Sequence, residues 1–378
     1  MTLSEEKTLI RDMARDFAQR ELAPQAAEWD EKGTFAPGVL EGMGRLGLMG
    51  MCVPEQWGGA GADFTSYTLA MEEIAAGWAA ASSVMSVNNS PMCSAVMDWG
   101  SDDQKERFLR PMAQGAVGCF CLTEPHAGSD AGAIKTRAEL RGNRYVLNGA
   151  KQFITSGSIA EYALVFAVTD PAAGKRGISA FIMPTDTPGF TVVAKEKKLG
   201  QRASDACQIA FEDVELTPDM LLGEEGQGYR IALANLEAGR VAIAAQAVGI
   251  ARAALEAATS YANQRETFGT AIINHQAVAF RLADMATRLE AARQLTLHAA
   301  RLRDEGAPCI TEASMAKLFA SETAEAICSD ALQTHGGYGY VEGFPVERLY
   351  RDVRICQIYE GTSDIQRMVV SRSLTEAH

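Results

Sequence analysis

The eighty residues from Gly228 to Ala307 contain no proline, and no other feature restricts the fold of this chain as strongly. Proline removes a backbone donor and clashes with the preceding turn, so its absence lets helices run unbroken. Within the run, Val278, Leu282, Met285, Leu289, Ala292, Leu295, Ala299 and Leu302 recur at steps of three or four, one stripe of a long helix. The run is also rich in alanine, which lets helix axes approach closely, so a bundle is expected. Residues 116–222 read the opposite way, because ten glycines and five prolines in 107 residues exclude long helices. Short strands are expected at Gly118–Leu122, Tyr145–Leu147, Tyr162–Val168, Ile178–Met183, Phe190–Ala194 and Cys207–Phe211, with turns at Arg141-Gly142-Asn143, Asn148-Gly149 and Pro188-Gly189. Ahead of them, helices are expected over 4–21, 36–47, 64–77, 81–98 and 102–113, the last capped at Ser101. The first has Leu9, Ile10, Met13 and Phe17 on one side. The fold class is therefore multi-domain α+β: a helical domain over 1–115, a barrel- or sandwich-like β domain over 116–222, and a helical bundle over 223–378.

Thirty-five Lys and Arg stand against 48 Asp and Glu, for a net charge of −13. Such a chain repels phosphate backbones, so nucleic acid is not an expected partner, although an anionic ligand can still occupy a local basic pocket. No stretch approaches 18 apolar residues without charge, so no membrane span is expected. The acidic residues Glu5, Glu6, Asp12 and Asp16 match neither a secretory nor a transit signal. A bacterial cytoplasmic enzyme and a processed mitochondrial matrix form both remain open. The eight cysteines include no C-x-x-C pair and the histidines no H-E-x-x-H, so free thiols and no metal site are expected. Cys119 and Cys121 would share one face of a strand. Met85, Met92 and Met97 read as helix core, and Asn88-Asn89 as a polar break in a helix.

Three segments can carry chemistry. Cys119–Asp130, CFCLTEPHAGSD, leaves a strand for a glycine-bearing loop whose backbone donors and hydroxyls suit a polar ring or phosphate, or simply a polar turn. Gln333–Tyr340, QTHGGYGY, ends an alanine-rich helix with glycines that cap it and also permit close approach by a pyrophosphate. In Ile358–Arg367, IYEGTSDIQR, Thr362 or Ser363 can cap the last helix while Glu360 favours its positive end. The same Glu360, on a fixed turn with an apolar approach from Ile355, Ile358 and Tyr359, is a candidate general base, since desolvation raises a carboxyl pKa toward neutrality.

The ordered set TEPHAGSD, NGAKQFITSG, LEAGRVAIAAQAVGIA, QRETFG, QTHGGYGY and IYEGTSDIQR resembles the acyl-CoA dehydrogenase family of flavoenzymes over nearly the whole chain. MSVNNS at 85–90 and GYVEGFPVERLYRD at 339–352 bring it nearest to the short-chain (butyryl-CoA) branch. The resemblance implies FAD-dependent conversion of a short-chain acyl-CoA to the trans-2-enoyl-CoA, with electrons passed to an electron-transfer flavoprotein. It implies that Glu360 takes the α-proton and that Gly239, where some branches carry the base instead, offers no competing carboxylate. Ser129, Ser204, Glu237, Arg240 and Gly361 would meet the substrate. The flavin would lie against Phe120, Cys121, Leu122, Thr123, Gly128 and Ser129, with Phe153, Ile154 and Thr155 on its other side. Thr362, Ser363 and Asp364 would join the cofactor contacts, while Arg265, Thr267, Phe268, Gln276, Gln333, Thr334, His335, Gly336 and Gly337 would grip it from a neighbouring subunit of a homotetramer, a dimer of dimers. Branched-chain or medium-chain substrates, an oxidase or desulfinase relative, and a non-catalytic CoA-binding scaffold are the alternatives.

Overall fold

The structure, a computed structural model, describes residues 3–35 and 38–376. Residues 36 and 37 of the helix expected over 36–47 lie outside the described residues, as do 1, 2, 377 and 378. The first segment is helical: α1 (Glu5–Phe17), α2 (Ala26–Lys32), α3 (Val39–Arg45), α4 (Phe64–Gly77), α5 (Ala79–Val87), α6 (Ser94–Trp99), α7 (Asp102–Gln104) and α8 (Arg110–Ala113). Ser101 and Gln104 close a reciprocal capping box on α7, which satisfies two otherwise orphaned N–H groups. Leu9 is 64% exposed, contrary to the expected stripe, whereas Ile10, Met13 and Phe17 pack on the core. Adjacent helical residues lie about 100° apart, and the face chosen is the one that sinks Ala14, Ala18 and Leu22. Helix α2 was not expected, although Pro24 before it and Gly33 (φ 63°) after it bracket it as helix boundaries do.

The eight-stranded sheet contains β1 (Gly118–Cys121), β2 (Arg137–Arg141), β3 (Arg144–Thr155), β4 (Tyr162–Val168), β5 (Ile178–Pro184), β6 (Phe190–Lys195), β7 (Ala206–Leu216) and β8 (Leu221–Leu222). The order is β6-β7-β3-β2-β4-β5-β8, and β1 pairs in parallel with β4. The expected turn at Asn148-Gly149 lies inside β3, where the register against β7 shifts between Leu147 and Gly149. Glycine is needed there because a Cβ at position 149 would meet Thr136 at 2.5–2.8 Å. β2 escaped notice because RAELR buries only Ala138 and shows no apolar alternation. Cys119 and Cys121 point to one side, 3.8 Å apart at sulfur and buried.

The third segment holds α9 (Gly228–Gln264), a two-stranded hairpin of β9 (Glu266–Thr267) and β10 (Thr270–Ala271), α10 (Gln276–Asp304), α11 (Ile310–His335), α12 (Pro345–Val353) and α13 (Ser363–Glu376). α9 is long and apolar enough by composition to cross a bilayer, but 72% of its apolar window is buried inside the protein, where it packs as the bundle's central helix against α4, α10, α11 and α12. The α10 stripe turns inward as expected at Leu282, Met285, Leu289, Ala292 and Ala299.

Buried polar groups tie the segments together. Asn88 Nδ2 donates to the carbonyls of Met49 (2.9 Å) and Met112 (3.0 Å), while Asn88 Oδ1 accepts from Gly118 N of β1 (2.8 Å). Asn89 Nδ2 likewise donates to Leu48 O (2.8 Å), and its Oδ1 accepts from Met51 N (2.7 Å). The polar break is thus a bracket that satisfies backbone of the loop after α3, the end of α8 and the start of β1. In the β domain, fully buried Lys151 Nζ donates to Glu124 Oε1 (2.8 Å) and Leu122 O (3.0 Å). Burial opposes charge on Glu124, but Lys151 and the N–H groups of Thr136 and Lys135 more than offset this and hold the carboxyl below its ordinary range. Lys151→Met strips that carboxylate of its counter-ion, and breaking one partner of a buried pair costs about 3–5 kcal/mol. The expected result is a lower urea midpoint at unchanged m-value; a midpoint equal to wild type would show that the pair contributes nothing.

Candidate functional site

Cys356 closes the short turn after α12, and the chain then makes two consecutive left-handed residues, Glu360 (φ 53°) and Gly361 (φ 85°). A side-chain-bearing residue is disfavoured in that region, so the turn must be held from outside. Gln366 of α13, fully buried, donates through Nε2 to Glu360 O (3.2 Å) and Gly361 O (2.9 Å). Lys317 of α11, also fully buried, donates through Nζ to Gly361 O (2.6 Å). Thr362 is the residue that caps α13, its Oγ1 accepting from Ile365 N at 3.3 Å. Ser363 Oγ is buried without a partner, and Asp364 lies exposed beside Arg367 at 3.6 Å.

The Glu360 carboxylate turns inward onto α9. A Cβ added to Gly239 would stand 2.6 Å from Oε2 and 3.2 Å from Cδ, so the carboxylate rests on a helix face cleared by glycine. Oε2 is buried with no hydrogen-bond partner, and among the described residues none accepts from the Glu360 N–H. Burial lifts the carboxyl to a pKa of about 7, against the opposing pull of Lys317 and Arg240. A poised carboxylate with an open acceptor, beside an open backbone donor, is the equipment for moving a proton next to a carbonyl.

Arg240 follows Gly239 and is buried, not surface-paired with Glu237: its Nη1 donates to Ser314 Oγ at 3.1 Å, and its Nε has no partner. Burial lowers its pKa, and Glu360 and Glu237 counter this. Glu237 pairs instead with Arg303 (3.4 Å) and accepts from Cys309 Sγ (3.2 Å). Behind the turn, Tyr359 Oη donates to Gln246 Oε1 of α9, and Gln246 Nε2 donates to Ser83 Oγ of α5 (2.9 Å). Ser83 Oγ then donates to Gln201 Oε1, and Gln201 N donates to Asp352 Oδ1 of α12. Ser204 N donates to Gln201 O (3.2 Å), which places Ser204 beside this chain of hydrogen bonds. Met97 lines a pocket of about 390 Å³ with Tyr67, Ser90 and Arg303, while Met85 and Met92 are core.

The β-domain residues divide by face. Cys121 faces the core and Ile154 is buried; Phe120 packs on Phe166 with ring centroids 4.9 Å apart. Leu122 is buried, and its carbonyl accepts from Lys151. Thr123 O accepts from Gln152 N at 2.9 Å, which brings the two strand ends side by side. The β3–β7 register then breaks between Lys151 and Ile154, and this bulge throws Phe153 outward in a left-handed conformation (φ 59°), 63% exposed, beside half-buried Thr155. Bulges re-aim side chains in this way. Gly128 and Ser129 lie exposed on the following loop.

A second group lies at the far end of the bundle. Arg265 stands over Tyr338 (6.0 Å), Phe268 is 98% exposed, and Gln276, Gln333, Gly336 and Gly337 are exposed. Nothing lies within 4 Å of a Cβ built on either glycine, which leaves bare backbone open to a ligand. Thr267 and His275 hydrogen-bond at 3.0 Å to brace the hairpin. Thr334 Oγ1 donates to its own helix, and His335 stacks on Tyr261 at 4.4 Å, so these two side chains face inward. From Arg240 to Arg265 along α9 is about 37 Å at 1.5 Å per residue, so the structure does not bring this group to Glu360.

Lys317 and Gln366 went unremarked in the sequence. A lysine in SMAKLF reads as a solvated helix residue, and Gln366 as one polar residue among several; only the fold turns both toward the turn. The ion pair of Glu124 and Lys151 lies inside two of the quoted motifs, but nothing in their spacing announces it.

Comparison with known proteins places the whole chain in one family. The family descriptions "Acyl-CoA dehydrogenase" N-terminal, middle and C-terminal domain match residues 4–116, 119–214 and 226–375 in that order. An acyl-CoA dehydrogenase of Bacillus subtilis is 49% identical over 99% of this chain and 99% of its own. The mitochondrial short-chain specific acyl-CoA dehydrogenase of Bos taurus is 48% identical over 100% of this chain and 92% of its own. The structure of butyryl-CoA dehydrogenase from Megasphaera elsdenii superposes with a TM-score of 0.97 at 41% identity, covering 99% of both chains.

Proposed function

This chain belongs to the acyl-CoA dehydrogenase family of oxidoreductases, and we propose that it dehydrogenates short-chain acyl-CoA thioesters between Cα and Cβ, with Glu360 as the base. The observation that carries this reading is the buried, partnerless Oε2 of Glu360 resting against Gly239. The α-proton of a thioester is weakly acidic, so the base must be held beside it and the carbonyl oxygen must meet a donor. Glu360 Oε2 receives the proton, and the Glu360 N–H donates to the thioester oxygen as negative charge gathers there. Arg240 and Ser129 orient the CoA part, with Ser204 and Glu237 at its edge. Burial of the carboxylate against α9 withdraws it from water, which keeps the carboxyl near neutrality and the two open groups strong.

The chain also fits a flavin nucleotide. The outward Phe153 ring beside Thr155, and the strand end at Thr123, offer a flat apolar face with polar edges; Arg265, Phe268, Gln276, Gln333 and the open glycines offer cation, ring and bare backbone. FAD bound there supplies the acceptor for the β-hydride. The resemblance to the family assigns the second group to the FAD of a neighbouring copy, not to the flavin face of its own chain. Each site therefore takes its second half from a neighbouring copy, in keeping with the homotetramer of the family. Electron-transfer flavoprotein is the electron acceptor we assign.

The test is colour and turnover. Purified protein should be yellow, and anaerobic butyryl-CoA should bleach it; yellow protein that no C4–C8 acyl-CoA bleaches would sink the assignment. Peroxide formed in air at the rate of bleaching would mark an oxidase instead. A substrate-length series should give the highest kcat/KM at C4. With the base near pH 7 and required ionised, kcat/KM should be level above that pH and fall about tenfold per unit below it. A profile flat to pH 5 would mean that another group takes the proton.

A further inference from the structure

We propose that Lys317 is a positioning residue for the proton-abstracting carboxylate: from α11 its buried ammonium clamps the Glu360–Gly361 turn and favours the charged form of Glu360. This rests on the reading of Glu360 as the base. Two left-handed residues in succession present their carbonyls to the packed interior, where each needs a donor. The Gln366 amide already reaches both, at 3.2 and 2.9 Å. Hydrogen bonding alone therefore does not call for a second donor on Gly361 O, yet a fully buried lysine supplies one at 2.6 Å. Burying an ammonium is costly unless a charge nearby repays it. What Lys317 adds beyond Gln366 is charge.

The groups around Glu360 support this. α9 presents Arg240 and Glu237, α11 presents Lys317 with Glu322 farther out, α4 presents Tyr67, and the turn itself carries Cys356 and Tyr359. Only two are cations. Arg240 is bonded to Ser314 and is assigned to the substrate, which leaves Lys317 as the cation whose hydrogen bond, among the described residues, goes to the base turn. Burial brings Lys317 down to about 8, with Arg240 pushing the same way and Cys356, Glu360 and Glu322 opposing. The two groups favour each other's charged forms, Glu360 raising the ammonium and Lys317 lowering the carboxyl.

The experiment isolates proton transfer from oxidation. Methylthioacetyl-CoA copies butyryl-CoA but has sulfur at the β position, so it has no hydride to give. In D2O the flavin-loaded enzyme exchanges its α-hydrogens: the Cα–H bond breaks as Glu360 takes the proton, and a deuteron returns to the same carbon. Proton NMR follows loss of the CH2 signal against pH. Lys317→Met should slow the plateau and raise the midpoint by about one pH unit, the effect of removing an opposite charge close to a carboxylate. Lys317→Arg should return the midpoint to its wild-type value. Gln366→Leu, which removes a neutral donor, should slow the plateau without moving the midpoint. Should the Met variant not fold, Lys317→Gln is read in its place. A wild-type midpoint in the charge-free variant, or an equal shift in Gln366→Leu, overturns the proposal. Absence of exchange by the wild type, or exchange surviving in Glu360→Gln, would instead defeat the assignment of the base and leave the clamp a purely structural contact.

Discussion

Glu360→Gln should cost about 10⁴-fold in turnover, at the upper end of what a positioned base contributes, while the protein stays folded and yellow. Glutamine has the shape of glutamate, so the glycine-cleared face of α9 accommodates it and the clamped turn is undisturbed. The amide removes a partnerless buried carboxylate but also the charge that faces Lys317, so the two effects oppose and the melting temperature should change little. What disappears is the acceptor for the α-proton, and anaerobic butyryl-CoA should then bind without bleaching the flavin. Stopped-flow absorbance would measure this. Bleaching at the wild-type rate would place the base elsewhere.

Gly239→Ala should separate stability from activity in the opposite sense to an ordinary destabilising change. In the interior of α9, alanine is favoured over glycine by about 1 kcal/mol, so unfolding should be no easier. The new methyl stands 2.6 Å from Glu360 Oε2, closer than two such atoms can approach. Since it meets the end of a side chain and not backbone, the carboxylate moves aside. A displacement of about 1 Å at a reacting group costs about 100-fold, and kcat should fall by that much with KM changed little. Unaltered kcat would mean that the carboxylate does not rest on Gly239 during turnover.

The gross arrangement was legible because breakers and periodicity operate locally. A proline-free, alanine-rich run can hardly be anything but helix, and the glycine-dense middle can hardly be helix at all. Failures came where a contact distant in sequence decides. Asn148-Gly149 has the composition of a turn, yet Thr136 crossing against Gly149 keeps the strand going. Leu9 looks like core, but the helix buries its alanine face. For the site, the YEGTS segment pointed to Glu360 as a carboxylate on a fixed turn, and the family resemblance singled it out as the base. Its supports were hidden, since Lys317 and Gln366 matter only through where α11 and α13 cross. Arg240 and Glu237, three apart on α9, do not pair with each other: Arg240 is buried against Ser314 and Glu237 turns to Arg303.

The run of hydrogen bonds from Tyr359 through Gln246, Ser83 and Gln201 to Asp352 crosses from bundle to N-terminal helices to sheet domain and back. Its consequence concerns modularity. The scaffold behind the reactive corner is stitched from all three parts of the polypeptide, so none is an interchangeable cassette. A chimera that imports the middle portion from a distant cousin must bring a glutamine at position 201, or the cross-brace loses its central link.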